Sequence, residues 1–369
     1  VGSSDLGARR SCRVLVIGPP TAHTSKTAMA AILGMGNPLL DISAEVTQET
    51  FDKYGLQPGN AILAEPKHAP LYDELAGKKD VKYIAGGATQ NSIRVAQWML
   101  QQPGMTAYMG CIGDDEFGKK LQDACKADGV QALYMIDTST PTGKCAVTIL
   151  DKERSLTTEL SAANNYKASH LKEPAQMQVL EGAKIVYSAG FFITVSPESM
   201  DIASEKTVEK GTVYCLNLSA PFIVQVPPFR AQLEKLLPAV DYLFGNEDEA
   251  RAYAEAVGWE TQDVEFIATR LSLVPMRGGK PPRKVVITQG CDPTVVAIRG
   301  QVTKYPVIAL PKDKLVDTNG AGDAFVGGFL AALAKGKDIE GCCKAGAYAA
   351  SVIIQHSGCT YPPKPDYAL

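Results

Sequence analysis

From residue 32 onward the chain alternates short apolar runs with longer amphipathic stretches. ILGMG (32–36), KIVYSA (184–189), VYCLNL (213–218), VDYLF (240–244) and KVVIT (284–288) are five or six residues long and partly β-branched or aromatic, as strands buried on both faces are. Helical periodicity covers 246–257, 263–272 and 320–335. This alternation predicts an α/β fold, a mostly parallel sheet flanked by helices. Two regions break the rhythm, 41–85 and about 131–160. In the second, CAVTIL (145–150) and SLTTEL (155–160) flank DKER, which predicts a hairpin. Together the two regions predict a small β-rich lid over the carboxyl ends of the main strands, where open α/β sheets bind ligands. The expected division is a large α/β domain from 32–40, 89–130 and 165–369, and a lid from 41–88 and 131–164. The stretch MRGGKPPRK (276–284) reads as a solvated connection.

Residues 1–31 differ. Arg9, Arg10, Arg13 and Lys26 face a single acid, Asp5, among serines and threonines. They read as a disordered appendage outside the fold, with a targeting role left open. CRVLVIG followed by GPPTAHTSKT imitates a P-loop, but the second glycine and the lysine of that motif fall on His23 and Thr24.

Composition narrows the classes. The net charge is −3, from 37 basic and 40 acidic residues, which argues against a general nucleic-acid or anionic-membrane binder. Nine cysteines without a CxxC pair, and four scattered histidines, support neither a disulfide scaffold nor structural zinc. Reduced thiols fit a cytoplasmic setting. No apolar run reaches the length of a membrane span. The expected partners are small molecules, with the chain acting as a monomer.

Four segments carry candidate chemistry. The first is DTNGAGDAFVGGF (317–329), a glycine-rich turn opening a helix. Free amides and the helix dipole make an anion site there. Asp323 is either a helix cap or a general base, with the amides of Gly320, Ala321 and Gly322 holding phosphoryl oxygens. The second is AGGATQNS (85–92): Gly86 and Gly87 permit close approach of a sugar, and Asn91 offers donor and acceptor. The third is GMGNPLLD (34–41), which lacks the spacing of a dinucleotide fingerprint; Asp41 suits a vicinal diol. The fourth is NEDE (246–249), where Asn246 and Glu249 share a helix face and suit Mg²⁺ through retained waters.

DTNGAGDAFVGGF and AGGATQNS together resemble the two signatures of the ribokinase-like carbohydrate and nucleoside kinases. GNPLLD, AGFFITVSPES, NLSAPF and FGNEDEA extend the resemblance from about residue 33 to about 366, toward members that phosphorylate adenosine and those of plants in particular. The resemblance implies transfer of the γ-phosphate of ATP to the 5′-hydroxyl of adenosine, giving AMP and ADP. It places Asp323 as the base and Gly320–Gly322 as the anion hole. Asp41, Asn91 and Gly86–Gly87 would hold the ribose, with Asn37 and Asn319 around the nucleoside. Phe191 would stack on adenine, walled by Leu39, Leu63, Cys145, Leu156, Leu160 and Phe222. Arg154 would reach the transferring phosphate. Asn246 and Glu249 would place Mg²⁺, and Asn246, Thr288 and Gly290 the ATP. A monovalent cation such as K⁺ would sit near Asp317 and residues 356–360. Ala61, Thr158 and Ala347 depart from the family pattern, at two lid contacts and at the base of the ATP side. Alternatives are another sugar or nucleoside kinase of this class, or a non-catalytic nucleotide-binding regulator, against which Asp323 and Arg154 speak.

Overall fold

The computed structural model describes residues 1–2, 30–151 and 153–369. The P-loop imitation and nearly all of the 1–31 appendage lie outside the described residues. Among the described residues, buried apolar runs build a nine-stranded sheet. Its order is Gln301–Tyr305, Asp292–Ile298, Lys284–Gln289, Tyr242–Asn246, Val213–Asn217, Ile185–Ala189, Ile32–Met35, Thr106–Met109, Gln131–Ala132. Pairing is parallel from Lys284–Gln289 to Gln131–Ala132, as the alternation predicts. The two strands after Gln289 pair antiparallel and extend one edge.

A second sheet of five strands runs in the order Ala61–Leu63, Glu153–Glu159, Lys144–Leu150, Leu39–Glu45, Lys82–Gly86. Gly36, Asn37 and Pro38 alone separate its strand Leu39–Glu45 from Ile32–Met35 of the large sheet. The small sheet thus takes up the chain at Leu39, ahead of the expected lid boundary. In the hairpin, Leu150 pairs with Glu153 and Ile149 with Arg154. Asp151 follows the first strand at φ 50°, and Glu153 and Arg154 of DKER are strand. That puts Arg154 inside the sheet, not at a loop tip.

The loop 276–284 is solvated only in part: Arg277, Gly278, Gly279 and Pro281 are exposed, but two of its cations are not. Arg283 is fully buried and donates to the carbonyls of Val240 (3.1 Å), Leu271 (2.8 Å) and Leu237. Lys280 Nζ lies 2.5 Å from Asp241 Oδ2, and both side chains are almost sealed. Buried cations persist because each proton finds an acceptor. Among the described residues, no helix is long and apolar enough to cross a membrane.

Two helices set the floor of the site, Ala88–Leu100 and Ala321–Ala334, and a third, Ile339–Ile353, packs behind them. Ala321–Ala334 packs against both others through adjacent glycines. A Cβ on Gly327 would stand 2.6 Å from the Ser92 carbonyl, and one on Gly328 would collide with the Ala345 carbonyl. This close approach brings the start of that helix beside the start of Ala88–Leu100. Gly327→Leu should destabilise the protein by about 1–3 kcal/mol or more through overpacking, read as a lower urea midpoint; an unchanged midpoint would contradict the packing role.

Candidate active site

The two sheets and the starts of the helices Ala88–Leu100, Glu247–Ala256 and Ala321–Ala334 enclose a cavity of about 390 Å³. The helix Ala321–Ala334 begins after Gly320, whose φ of 79° is left-handed. The amides of Gly320 and Gly322 donate to no backbone carbonyl among the described residues, whereas Ala321 N donates to Thr318 O at 3.3 Å. Ala321, expected as a third anion donor, is thus committed to the turn and does not line the cavity, while Gly320 and Gly322 do. A Cβ on Gly322 would meet nothing within 4 Å. The protein's own packing does not require glycine there, so the space is left to a ligand.

Asp323 opens onto the same floor. Asn91 Nδ2 donates to its Oδ2 at 3.0 Å. Burial pushes the Asp323 carboxyl up to about 7, against the opposing effect of the Asn91 bond. Asp41 projects from the strand Leu39–Glu45 into the cavity. Its carboxyl also rises to about 7, chiefly by burial, with Arg154 opposing and Asp323 adding to the rise. Gly86 and Gly87 make room for this arrangement: a Cβ on Gly86 would collide with the Asp41 carboxylate, and one on Gly87 with the Asn37 carbonyl. Gly87 lines the cavity; Gly86 lies behind Asp41.

Of the buried side-chain polar atoms without a protein partner, two belong to the cavity lining: Asn37 Oδ1 and Asn91 Oδ1. Both side chains are oriented through their amide nitrogens, Asn37 by the Phe191 carbonyl at 3.4 Å and Asn91 by Asp323. Both line the cavity. An unsatisfied buried acceptor costs about 1–3 kcal/mol, which hydroxyl donors of a ligand would relieve. The apolar wall is built from Phe191 and Phe222, ring centres 6.0 Å apart and inclined at 39°. Leu39, Cys145, Leu156 and Leu160 pack as one cluster behind the cavity surface. Leu63, 51 % exposed, closes it from the edge strand of the lid. Ala61 and Thr158 also line it, and Thr158 Oγ1 donates to Cys145 Sγ at 3.4 Å.

On the far side, Asn246, Glu249, Thr288 and Asn319 reach the cavity. Asn246 and Glu249 cap the helix Glu247–Ala256 reciprocally: Glu249 N donates to Asn246 Oδ1 at 2.8 Å, and Asn246 N donates to Glu249 Oε2 at 3.0 Å. Burial pushes Glu249 up to about 7. Gly290, expected beside ATP, sits exposed in the turn after Lys284–Gln289 and away from the cavity. Ala347 is buried on its helix and does not line the cavity either. Arg154, expected at the transferring phosphate, lies instead on Asp317, with Nε 2.6 Å from Oδ1.

The structure adds residues that the motifs did not assign. Asn217, Ser219, Phe244, Phe325 and Cys359 line the cavity. Ser219 has a left-handed φ of 72°, and its Oγ accepts from Gly190 N at 2.7 Å. It thereby fixes the turn that carries Phe191. The signal in the sequence is Asn-Leu-Ser directly after an apolar strand, the composition of an Asx turn, and Ser219 N does donate to Asn217 Oδ1 at 3.0 Å.

The pfkB family carbohydrate kinase profile matches residues 49–366. Adenosine kinase 1 of Arabidopsis thaliana is 58 % identical over 336 residues, 91 % of this chain and 97 % of the relative. Adenosine kinase of Dictyostelium discoideum is 43 % identical, covering 90 % and 96 %. The crystal structure of Anopheles gambiae adenosine kinase in complex with P1,P4-di(adenosine-5) tetraphosphate superposes with a TM-score of 0.87 at 45 % identity, covering 91 % of this chain and 99 % of that one. The chain belongs to the pfkB family of carbohydrate kinases, with a ribokinase-like fold. Within that family its similarity runs to the adenosine kinases. Gly322→Ala should keep folding stability within about 0.5 kcal/mol while phosphoryl transfer falls about tenfold or more through crowding of the anion site; a variant with wild-type turnover would show that this amide faces no ligand.

Proposed function

We infer that the chain transfers the γ-phosphoryl group of ATP to the 5′-hydroxyl of adenosine, giving AMP and ADP. The observation that carries this reading is the placement of Asp323 on the cavity floor beside the uncommitted amides of Gly320 and Gly322. A primary alcohol is a poor nucleophile, and the transferring group is densely negative. The residues answer both demands. Asp323 takes the proton of the attacking hydroxyl. Gly320 and Gly322 donate to phosphoryl oxygens as charge shifts among them. Asp41 accepts from the ribose 2′- and 3′-hydroxyls. Asn37 and Asn91 offer their orphan oxygens to further donors. Phe191 and Phe222 cover the purine, and an adenine ring suits this corner better than a bare sugar does.

Mg²⁺ fits as an ion delivered on the phosphates. Glu249 is a single buried carboxylate at the cavity edge, and among the described residues no three ligating side chains gather into a closed metal site. Glu249 and Asn246 would hold the ion through water, and when bound it neutralises phosphate charge. The lid sheet, carrying Leu63 and Leu156, closes the nucleoside side and excludes water from the reaction.

The test is a transfer assay with adenosine and ATP–Mg²⁺. Asp323→Asn should lower kcat by orders of magnitude while calorimetry shows adenosine still bound; substantial residual turnover would remove Asp323 from the role of base. The base must be ionised, and burial holds its carboxyl at about 7, so kcat/KM should fall as pH drops through about 7, not about 4 as for an exposed aspartate. Asn91→Leu deletes a donor to the charged form, so that acidic limb should move to higher pH; a limb that stays in place would deny the coupling.

Asp41→Ala should weaken adenosine by on the order of 100-fold, from two lost charge-assisted hydrogen bonds. The same substitution should barely change the affinity for 2′,3′-dideoxyadenosine. Equal losses for both ligands in calorimetry would exclude the diol contact.

A further inference from the structure

Arg154 stands at the seam of the two sheets. Its strand, Glu153–Glu159, belongs to the small sheet, while Asp317 leads into the glycine turn before Ala321–Ala334. Arg154 Nε lies 2.6 Å from Asp317 Oδ1, with the two side chains 8 % and 1 % exposed. Arg154 Nη2 also donates to Ser357 Oγ at 3.2 Å. Two backbone amides also bond Asp317: Oδ1 accepts from Asn319 N at 3.0 Å and Oδ2 from Gly358 N at 2.7 Å. One carboxylate therefore fastens a lid strand, the start of the anion turn and the 356–360 loop.

The monovalent cation that the resemblance implies would need this carboxylate and this loop. It does not fit: the carboxylate already has a guanidinium against it, and with two amides this fills both acceptor sites of Oδ1 and one of Oδ2. We infer that Arg154 is a positioning residue whose guanidinium supplies the positive charge at Asp317 that braces the Gly320–Gly322 turn, so that phosphoryl transfer by this chain needs no monovalent cation. The inference rests on the kinase reading of the site. Its physical basis is that a sealed carboxylate without a counter-charge is strongly unfavourable, and removing one partner of such a pair leaves the other uncompensated. Arginine suits the place because its fork can meet Asp317 and Ser357 together. Since the charge is carried by a lid strand, the anion turn is braced only when that strand is seated.

The full-length protein would be assayed in chlorides of K⁺, Na⁺ and tetramethylammonium at matched ionic strength. The wild type should turn over at indistinguishable rates in all three. Arg154→Ala should lose on the order of 100-fold in kcat, comparable to loss of an oxyanion donor. Guanidinium or K⁺ should restore part of that loss and raise the melting temperature of Arg154→Ala. Neither cation should do so for Asp317→Asn or for the wild type. Arg154→Lys should retain more activity than the uncharged Arg154→Gln, a comparison that holds should the alanine variant fold poorly. A wild-type rate that depends on K⁺, or an Arg154→Ala protein that neither cation restores, would overturn the inference. Absence of transfer to adenosine in every salt would count against the functional reading instead; the melting series would still decide the cation question.

Discussion

Two half-buried carboxylates, Asp41 and Asp323, face one cavity, and the rest of the site is organised around them. Burial raises both to about 7. Each is countered by a neighbour placed by a different element: Asn91 from the start of Ala88–Leu100, Arg154 from the lid sheet. Mutual repulsion between the two carboxylates adds to the burden. Below about pH 7 the folded protein binds these protons more tightly than an unfolded chain does. Their contribution to stability therefore declines as pH rises from about 4 to about 7. An acid with a raised proton affinity is a better base for an alcohol than a fully exposed one, so the same partial burial that costs stability serves catalysis.

That burial is possible because backbones come unusually close. The large and small sheets are joined by three residues, Gly36, Asn37 and Pro38, so the cavity lies at their junction. Gly86 leaves room for the Asp41 carboxylate, and Gly327 with Gly328 lets three helices meet beneath Asp323. Side chains at those points would push apart the groups that the chemistry needs together. The Arg154–Asp317 pair then closes the seam from the lid side. Lid position, the anion turn and the charge balance of the floor are thereby mechanically one unit.

Much of this was legible locally. The alternation of buried strands and helices is written in apolar periodicity, and the strands Ile32–Met35, Ile185–Ala189 and Val213–Asn217 follow it. The glycine turns were legible because a helix start with small residues is a local property. Other elements were not. The antiparallel edge of residues 292–305 has no crossover helix to announce it. Arg283 reads as a surface cation in a glycine- and proline-rich stretch, yet carbonyls at the ends of neighbouring helices converge on it. Ala321 shares the motif of its neighbours, but the turn consumes its amide. Gly290 follows a strand that does reach the cavity, and the chain then turns away.

By itself the sequence determined which groups could do chemistry and which segments would be strand or helix, since side-chain type, glycine placement and periodicity act over a few residues. Only the tertiary structure decided which partner each charged group would meet. Arg154 illustrates the division: a basic residue on a lid hairpin is plain from the chain, but its meeting with Asp317 depends on how two sheets seat against each other. Coulomb energy and desolvation follow distance and burial in space, and neither can be counted along the chain.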